Sequence, residues 1–173
     1  MKTLSLTLGL GLLACGTATR VNYDYDQRYD FTSLERWDWV TEPAEGGAAA
    51  GARSPLVDAR IRAAIERELA AKGYARDEGA EAVDFRVAFL GGTDEKVDLT
   101  TTYYGYRWRV PVTEARQYTE GTLIVDVVDA ERNELVWRGT GAAEVHAGDP
   151  DEVTKQVDQV VMEILKDFPP PGP

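Results

Sequence analysis

Apolar and polar residues alternate along several short segments of the chain, which is the pattern of a β-strand with one face in water. Such segments are VNYDYD at 21–26, ERWDWV at 35–40 and VDFRVAFL at 83–90. The alternation is strongest in YTEGTLIVDVVD at 118–129. The segment LTTTYYGYRWRVPV at 99–112 alternates less regularly, and we interpret it as a further strand or an edge hairpin.

The strongest of these strands and the apolar segment after it predict a β-hairpin. Alternation in the first strand places Leu123, Val125 and Val127 on the inward face. The polar turn DAERNE at 129–134 then leads into LVWRGTGAAEV at 135–145. Two strands joined by a short polar turn pair side by side, so we expect an antiparallel arrangement here.

Two further segments have apolar residues at helical spacing. The first begins at Ser54, a helix cap followed by proline, and stops at Gly73. Its apolar face consists of Val57, Ile61, Ala64, Ile65 and Leu69. The second begins at Asp149 and ends at the prolines of FPPPGP, because proline cannot extend a helix. Its apolar stripe consists of Val153, Val157, Val160, Val161, Ile164 and Leu165.

These elements predict an α+β fold. We expect a mostly antiparallel sheet of about five or six strands, with the two amphipathic helices packed on one face. The length fits a single domain over residues 21–168, with a mobile loop of low complexity at 42–54. The proline-rich residues 169–173 form a tail.

The N-terminus has the features of a secretory leader. Lys2 precedes an apolar run of ten residues, and small Ala14 lies directly before Cys15, the only cysteine. A bilayer span needs about 20 apolar residues, so the run is too short for a permanent anchor. An ordinary leader, cleaved elsewhere with Cys15 incidental, is the alternative to the interpretation that follows.

The four residues LLAC at 12–15 resemble the lipobox of bacterial lipoproteins. In that class the cysteine thiol takes a diacylglycerol, and the leader is cut before the cysteine. The resemblance therefore implies a signal peptide at 1–14, a lipid on Cys15 and a lipidated tether at 15–20. Gly16 follows the cysteine, and by the same resemblance a non-acidic residue there implies sorting to the outer membrane.

The charge of the chain restricts its partners. The full chain has a net charge of −11, and the leader contains a single charged residue, Lys2, so the mature chain carries −12. Such acidity disfavours nucleic acid and anionic lipid surfaces as partners. It suits a water-soluble body that is held at the membrane by lipid.

Motifs for catalysis, metal or cofactor binding are weak. Asp24, Asp26 and Asp30 lie close together, but the segment lacks the glycine and glutamate of a calcium loop. His146 is the only histidine, and no cysteine remains in the mature chain to complete a zinc site. Ser33 is in no nucleophile elbow, and there is no phosphate-binding glycine motif. We expect no enzyme activity, no metal and no cofactor beyond the lipid on the cysteine.

An aromatic and basic stretch is the best candidate for a partner-binding surface. It consists of Tyr103, Tyr104, Tyr106, Arg107, Trp108 and Arg109. Tyrosine, tryptophan and arginine are enriched at binding hot spots, and aromatic rings also stack on sugars. Alternating aromatics equally fit a strand whose rings face the packed side of the sheet, so both interpretations stay open.

Much of the mature chain resembles one family, the bacterial lipoproteins with domain of unknown function 4136. The resembling segments are VNYDYDQRYDFTSLERWDW, IRAAIERELAAKGY, DFRVAF, YTEGTLIVDVVDAERNELVWRG and ILKDFPP, together with the lipobox. The resemblance implies an envelope lipoprotein. It implies no accepted activity, and it transfers no functional residues.

The resulting functional hypothesis is a non-catalytic lipoprotein of the bacterial outer membrane, with its domain facing the periplasm. It would bind another envelope protein or a glycan, or support an assembly. One alternative is a carboxylate-based hydrolase of cell-wall sugars, which needs a cleft with two carboxylates about 5–9.5 Å apart. Another is a carrier of a small ligand or lipid, which needs an apolar pocket of about 300 Å³ between helices and sheet.

Overall fold

A computed structural model describes residues 19–40, 54–80, 82–104, 110–145 and 148–171. These residues form six strands and two α-helices. The strands are β1 (Arg20–Tyr25), β2 (Arg36–Trp39), β3 (Ala75–Arg76), β4 (Phe85–Tyr104), β5 (Val110–Asp129) and β6 (Glu134–Glu144). The helices are α1 (Pro55–Ala71) and α2 (Pro150–Leu165). The predicted α+β class is therefore confirmed.

The six strands form one sheet in the order β1-β6-β5-β4-β2-β3. The pairs β1–β6, β6–β5 and β5–β4 are antiparallel. The strand β2 is parallel to both of its neighbours, β4 and β3. The sheet is thus mixed but mostly antiparallel, as predicted. The predicted hairpin of β5 and β6 is also present, and Asn133 in its turn has a left-handed φ of 54°.

Both helices begin where their N-terminal signals predict, and α1 ends just before Gly73, whereas α2 ends at Leu165, ahead of the prolines. The Ser54 side chain accepts a hydrogen bond from the backbone N–H of Leu56, and the Asp149 side chain accepts one from Asp151. Gly73 follows α1 with φ of +94°, a conformation that only glycine adopts without strain. In each helix the capping side chain therefore accepts a hydrogen bond from one of the first backbone N–H groups, which lack partners within the helix.

One face of the sheet carries the core, and the helices cover it. Leu123, Val125 and Val127 are all buried, which confirms their predicted inward direction. A Cβ added at Gly141 would lie 2.9 Å from Ile164, so α2 rests directly on β6. An ion pair of 2.9 Å between Arg67 and Asp158 joins α1 to α2.

An aromatic cluster closes one end of the core. The ring of Phe168 is its centre and is fully buried. Ring centroids within 6.2 Å of it belong to Phe31, Tyr74, Phe85 and Trp137. These rings come from strands, loops and the segment after α2, so the C-terminal part of the chain is integral to the body of the domain.

The main departure from the sequence-based expectation is the length of β4. The alternation in the sequence predicts a strand that ends at Leu90, but β4 continues through Gly91 and Gly92 to Tyr104. β4 and β5 are therefore two 20-residue strands, paired from Phe85 opposite Asp129 out to the end of the hairpin. The segment 99–112, predicted as a further strand or an edge hairpin, supplies the outer part of this one hairpin.

The outer part of the hairpin extends beyond the rest of the sheet. Pairing of β5 with β6 stops at Glu120, and pairing of β4 with β2 stops at Val87. We call residues 96–104 and 110–118 the arm. At 3.4 Å per residue the arm is about 30 Å long. Its two strands pair with each other and with no further strand in the described part of the chain.

Candidate functional site

A pocket of about 290 Å³ lies between the two helices and the sheet, at the base of the arm. It is the place where the apolar faces of the helices extend past the packed core. Cavities of about 300–1,000 Å³ with mostly apolar walls are typical of small-molecule sites. The pocket is therefore the strongest structural candidate for a functional site in the described residues.

Small residues of three adjacent strands form the floor of the pocket. Gly91 of β4 is opposite Leu123 of β5, and Gly121 of β5 is opposite Ala143 of β6. A Cβ at Gly121 would lie 2.6 Å from the side chain of Val145, which also lines the pocket. Larger side chains along this floor would fill the space, so the small residues are the reason that it is open.

The walls of the pocket come from the predicted apolar faces of the helices. Val57 and Ile61 line it from α1, and Val153, Val157 and Val160 line it from α2. Val57, Val157 and Val160 are partly buried and pack against the core. Because these residues continue the core outward, a ligand in the pocket would rest on the same apolar layer that holds the domain together.

Polar groups at the pocket are few, and the contacts of Ser54 and Glu144 are structural. The Ser54 hydroxyl caps α1, and the Glu144 carboxylate forms a 2.6 Å ion pair with Arg116 of the arm. Thr93, Thr122 and Gln156 complete the polar part of the lining. An apolar ligand with one or two polar groups fits such a lining, because moving its apolar surface out of water into the pocket is favourable.

A buried Tyr–Asp pair lies at the β5–β6 turn and has a structural role. The Tyr29 hydroxyl donates to Asp129 at 2.7 Å, and Asp129 also accepts from the backbone N–H of Arg132 at 2.7 Å. Burial, followed by the bond to Asp129, raises the pKa of Tyr29. Burial opposes ionisation of Asp129, but its hydrogen bonds outweigh this effect and lower its pKa. The pair therefore holds the turn in place.

The site residues predicted from the sequence are only partly within the described structure. The backbones of Tyr103 and Tyr104 form the end of β4 in the arm. Four further residues of that stretch, the predicted lipidation site and the lone histidine lie outside the described residues: Tyr106, Arg107, Trp108, Arg109, Cys15 and His146. The predicted mobile loop at 42–54 also lies outside, except for Ser54.

Two searches of the described residues give negative findings. No helix among them is both long enough and apolar enough to span a membrane. The same residues contain no group of three or more His, Cys, Asp or Glu side chains placed to hold a metal ion.

The sequence raises such a pocket only as a requirement of the carrier alternative, and it does not show which residues would form it. The apolar stripes of both helices are visible in the sequence, and so are the glycines at 91, 92 and 121. The missing information is the register between strands, which aligns Gly91, Gly121 and Ala143 under the helices. Small residues inside a strand indicate either that another backbone packs closely against them or that a space is left open beside them. Sequence alone does not distinguish the two cases.

Comparison with known proteins identifies a family and a fold. Residues 21–170 match the family described as a domain of unknown function, DUF4136. No curated protein matches the chain.

Solved structures of similar fold come from several bacteria. A PDZ domain protein from Parabacteroides distasonis superposes with a TM-score of 0.57 at 11% identity over 91% of this chain. This chain spans only 38% of that protein. A PelC dodecamer from Paraburkholderia phytofirmans has a TM-score of 0.50 at 10% identity, covering 86% of this chain and 95% of PelC. A DUF4136 family protein from Bacteroides thetaiotaomicron has a TM-score of 0.47 at 13% identity, covering 84% and 95%.

Proposed function

Because the chain belongs to the DUF4136 family, we propose that it is an envelope lipoprotein that binds an apolar ligand without catalysis. The protein is anchored in the outer membrane by lipid on Cys15, and its domain faces the periplasm. The leader and the LLAC segment at 12–15 support the anchor. Diacylglycerol with further acylation gives more than one chain, which is what stable anchoring needs.

The pocket between helices and sheet is the observation that carries the binding role. Its volume of about 290 Å³ matches the lower end of small-molecule sites, and valines of both helices line it. We assign its ligand to a chemical class, a small apolar molecule or a single acyl chain. A carrier of a small ligand or lipid was one of the alternatives left open by the sequence, and the pocket favours it.

The hydrolase alternative receives less support from the same lining. Acid–base hydrolysis of sugars needs two carboxylates that face one cleft. The described lining of the pocket includes one carboxylate, Glu144, and Arg116 forms an ion pair with it. The arrangement therefore favours binding over hydrolysis.

A fluorescent fatty acid, cis-parinaric acid, tests the binding role. We expect its fluorescence to rise on titration with the purified domain. Val157→Trp places an indole in the pocket and should weaken binding at least tenfold. Met162→Trp is the matched control, because Met162 lies on the same helix, is 46% exposed and does not line the pocket. Equal probe binding by the folded Val157→Trp variant, or no binding by the unaltered domain, would refute the ligand role.

Metabolic labelling with a radioactive fatty acid tests the anchor. The unaltered chain should incorporate label and fractionate with the outer membrane. Cys15→Ala should remain an unlabelled precursor, because no thiol is left to accept the diacylglycerol. Label in the Cys15→Ala chain would show that the lipobox interpretation is wrong.

A further inference from the structure

Within the arm, the outer edge of β4 faces no further strand among the described residues. β2 pairs with β4 only from Phe85 to Val87, and beyond that point no described strand lies on this side. The Val40 N–H donates to the Val87 carbonyl at 2.9 Å, which shows that Val87 directs its backbone groups to this edge. In an antiparallel ladder every second residue does the same, so Val97 and Leu99 also direct their backbone groups to this edge, where no described strand pairs with them.

Two side chains along this edge are apolar, so their exposure to water is energetically unfavourable. Val97 is 59% exposed and Leu99 is 65% exposed, on the same face of β4 as the core residues. A two-stranded ribbon has little stability alone, and a long flat edge with apolar residues invites another strand to pair with it. The edge therefore has both the free hydrogen-bonding groups and the apolar side chains of an interface.

We propose that this edge binds a second copy of the chain. The β4 strands of two copies pair antiparallel about a twofold axis at Val97. The two arms then form one four-stranded sheet, with the two domains at its opposite ends. The proposal is independent of the lipid anchor and of the ligand in the pocket.

Charge self-complementarity selects this partner and this register. With Val97 opposite its own copy, Lys96 of each chain lies opposite Asp98 of the other. The twofold axis makes this pair twice. Because Val97 occupies a hydrogen-bonded position, Lys96 and Asp98 occupy non-hydrogen-bonded positions, where opposing side chains are closest. Two ion pairs of opposite sign thus flank a central contact between valines.

Neighbouring registers are disfavoured by the same residues. Moving the axis by one residue places Lys96 against Lys96 in one direction and Asp98 against Asp98 in the other. Like charges directly opposite each other destabilise a strand pair. The sequence Lys96-Val97-Asp98 therefore favours the register with its axis at Val97 over the two neighbouring ones.

Both charged side chains are available for these contacts. Lys96 is 45% exposed, and its pair with Glu120 is long, at 3.8 Å. Asp98 has no ion-pair partner in the described part of the chain.

A charge swap tests the pairing by sedimentation equilibrium of the purified domain, residues 20–173. We expect the unaltered domain to dimerise. Lys96→Asp and Asp98→Lys should each raise the dimer dissociation constant about tenfold or more, since each places like charges together twice. The double variant restores opposite charges and should dimerise as the unaltered domain does. Lys155→Asp, an exposed change on α2, is the charge-matched control and should have no effect.

The remaining outcomes overturn the proposal. A monomeric unaltered domain at millimolar concentration would exclude the interface. Single variants that dimerise normally would show that another surface is used. A double variant that stays monomeric, while its circular dichroism matches the unaltered domain, would show that the register is wrong.

Discussion

The inner and outer halves of the β4–β5 hairpin belong to one continuous ladder of paired residues. They differ in how deeply their side chains are buried. In the inner half Val87, Val125 and Val127 are almost completely buried beneath the helices. In the outer half, the arm, Val97 and Leu99 point to the same side and are more than half exposed. The register runs through both halves without a bulge, so the change is one of surroundings and not of strand geometry.

The comparison separates what makes a strand from what stabilises a domain. Alternation and β-propensity are sufficient for the ladder, and threonines and charged residues continue it into the arm. Stability comes from burial of apolar area, about 25 cal/mol per Å², and only the inner half has this burial. We therefore expect the body to resist unfolding and the arm to be the part available for contacts.

The largest predicted effect comes from placing a charge in each half of the same strand. Val125→Asp buries an unpaired carboxylate at a fully buried position and should cost several kcal/mol, enough to unfold the domain. Ala115→Asp, ten residues earlier on the same face of β5, lies at an exposed position in the arm and should leave the melting temperature unchanged. Thermal unfolding followed by circular dichroism compares the two. A normal melting curve for Val125→Asp would contradict the strand register.

A smaller effect is expected from a single hydrogen bond in the body. Tyr29→Phe removes the 2.7 Å bond to buried Asp129 and should cost about 1.5 kcal/mol, the lower range for bonds to charged groups. The bond helps to lower the pKa of Asp129, so its contribution is present above the ordinary value of 3.8 and is lost as pH falls through the folded-state pKa. The deficit of Tyr29→Phe should therefore be full at neutral pH and shrink in acid.

Urea unfolding at pH 7 and at about pH 3 measures this dependence. Tyr23→Phe is the control, because Tyr23 is 42% exposed and its hydroxyl forms no hydrogen bond with any described residue. The control should match the unaltered domain at both pH values. A deficit for Tyr29→Phe that grew in acid would mean that the hydrogen bond does not favour the ionised form of Asp129.

Much of the body could be predicted from sequence because each signal there is local. Ser54 and Asp149 cap helices wherever their helices lie, and alternation fixes the inward direction of Val125 without knowledge of its neighbours. Trp37 and Trp137 lie in segments that the sequence identifies as strands, and both are fully buried. These features depend on a few adjacent residues, so the sequence contains all the information they need.

The arm and the pocket depend on contacts between distant segments, and local patterns do not encode them. Gly91 and Gly92 resemble a turn in isolation, yet pairing with Leu123 and Thr122 carries β4 straight through them. The parallel placement of β2 beside β4 likewise joins distant segments, and the ring of Trp37 in β2 stacks on that of Phe85 in β4 with centroids 6.3 Å apart. The pocket exists because two such registers, that of β4 with β5 and that of β5 with β6, bring small residues under two helices.

The smallest predicted effect tests whether the arm opens independently of the body. The hydroxyls of Thr101 and Thr113 are 3.0 Å apart across the arm, and such a cross-strand pair contributes about 0.2–1 kcal/mol. Thr101→Val keeps the β-branched shape and removes the bond, so amides of the arm should exchange with deuterium about 1.4- to 5-fold faster, as that energy implies. Amides near Val125 should exchange as before, because they open only with the body. Faster exchange at both places would mean that arm and body unfold as one cooperative unit. The arm would then be as stable as the body, despite its different surroundings.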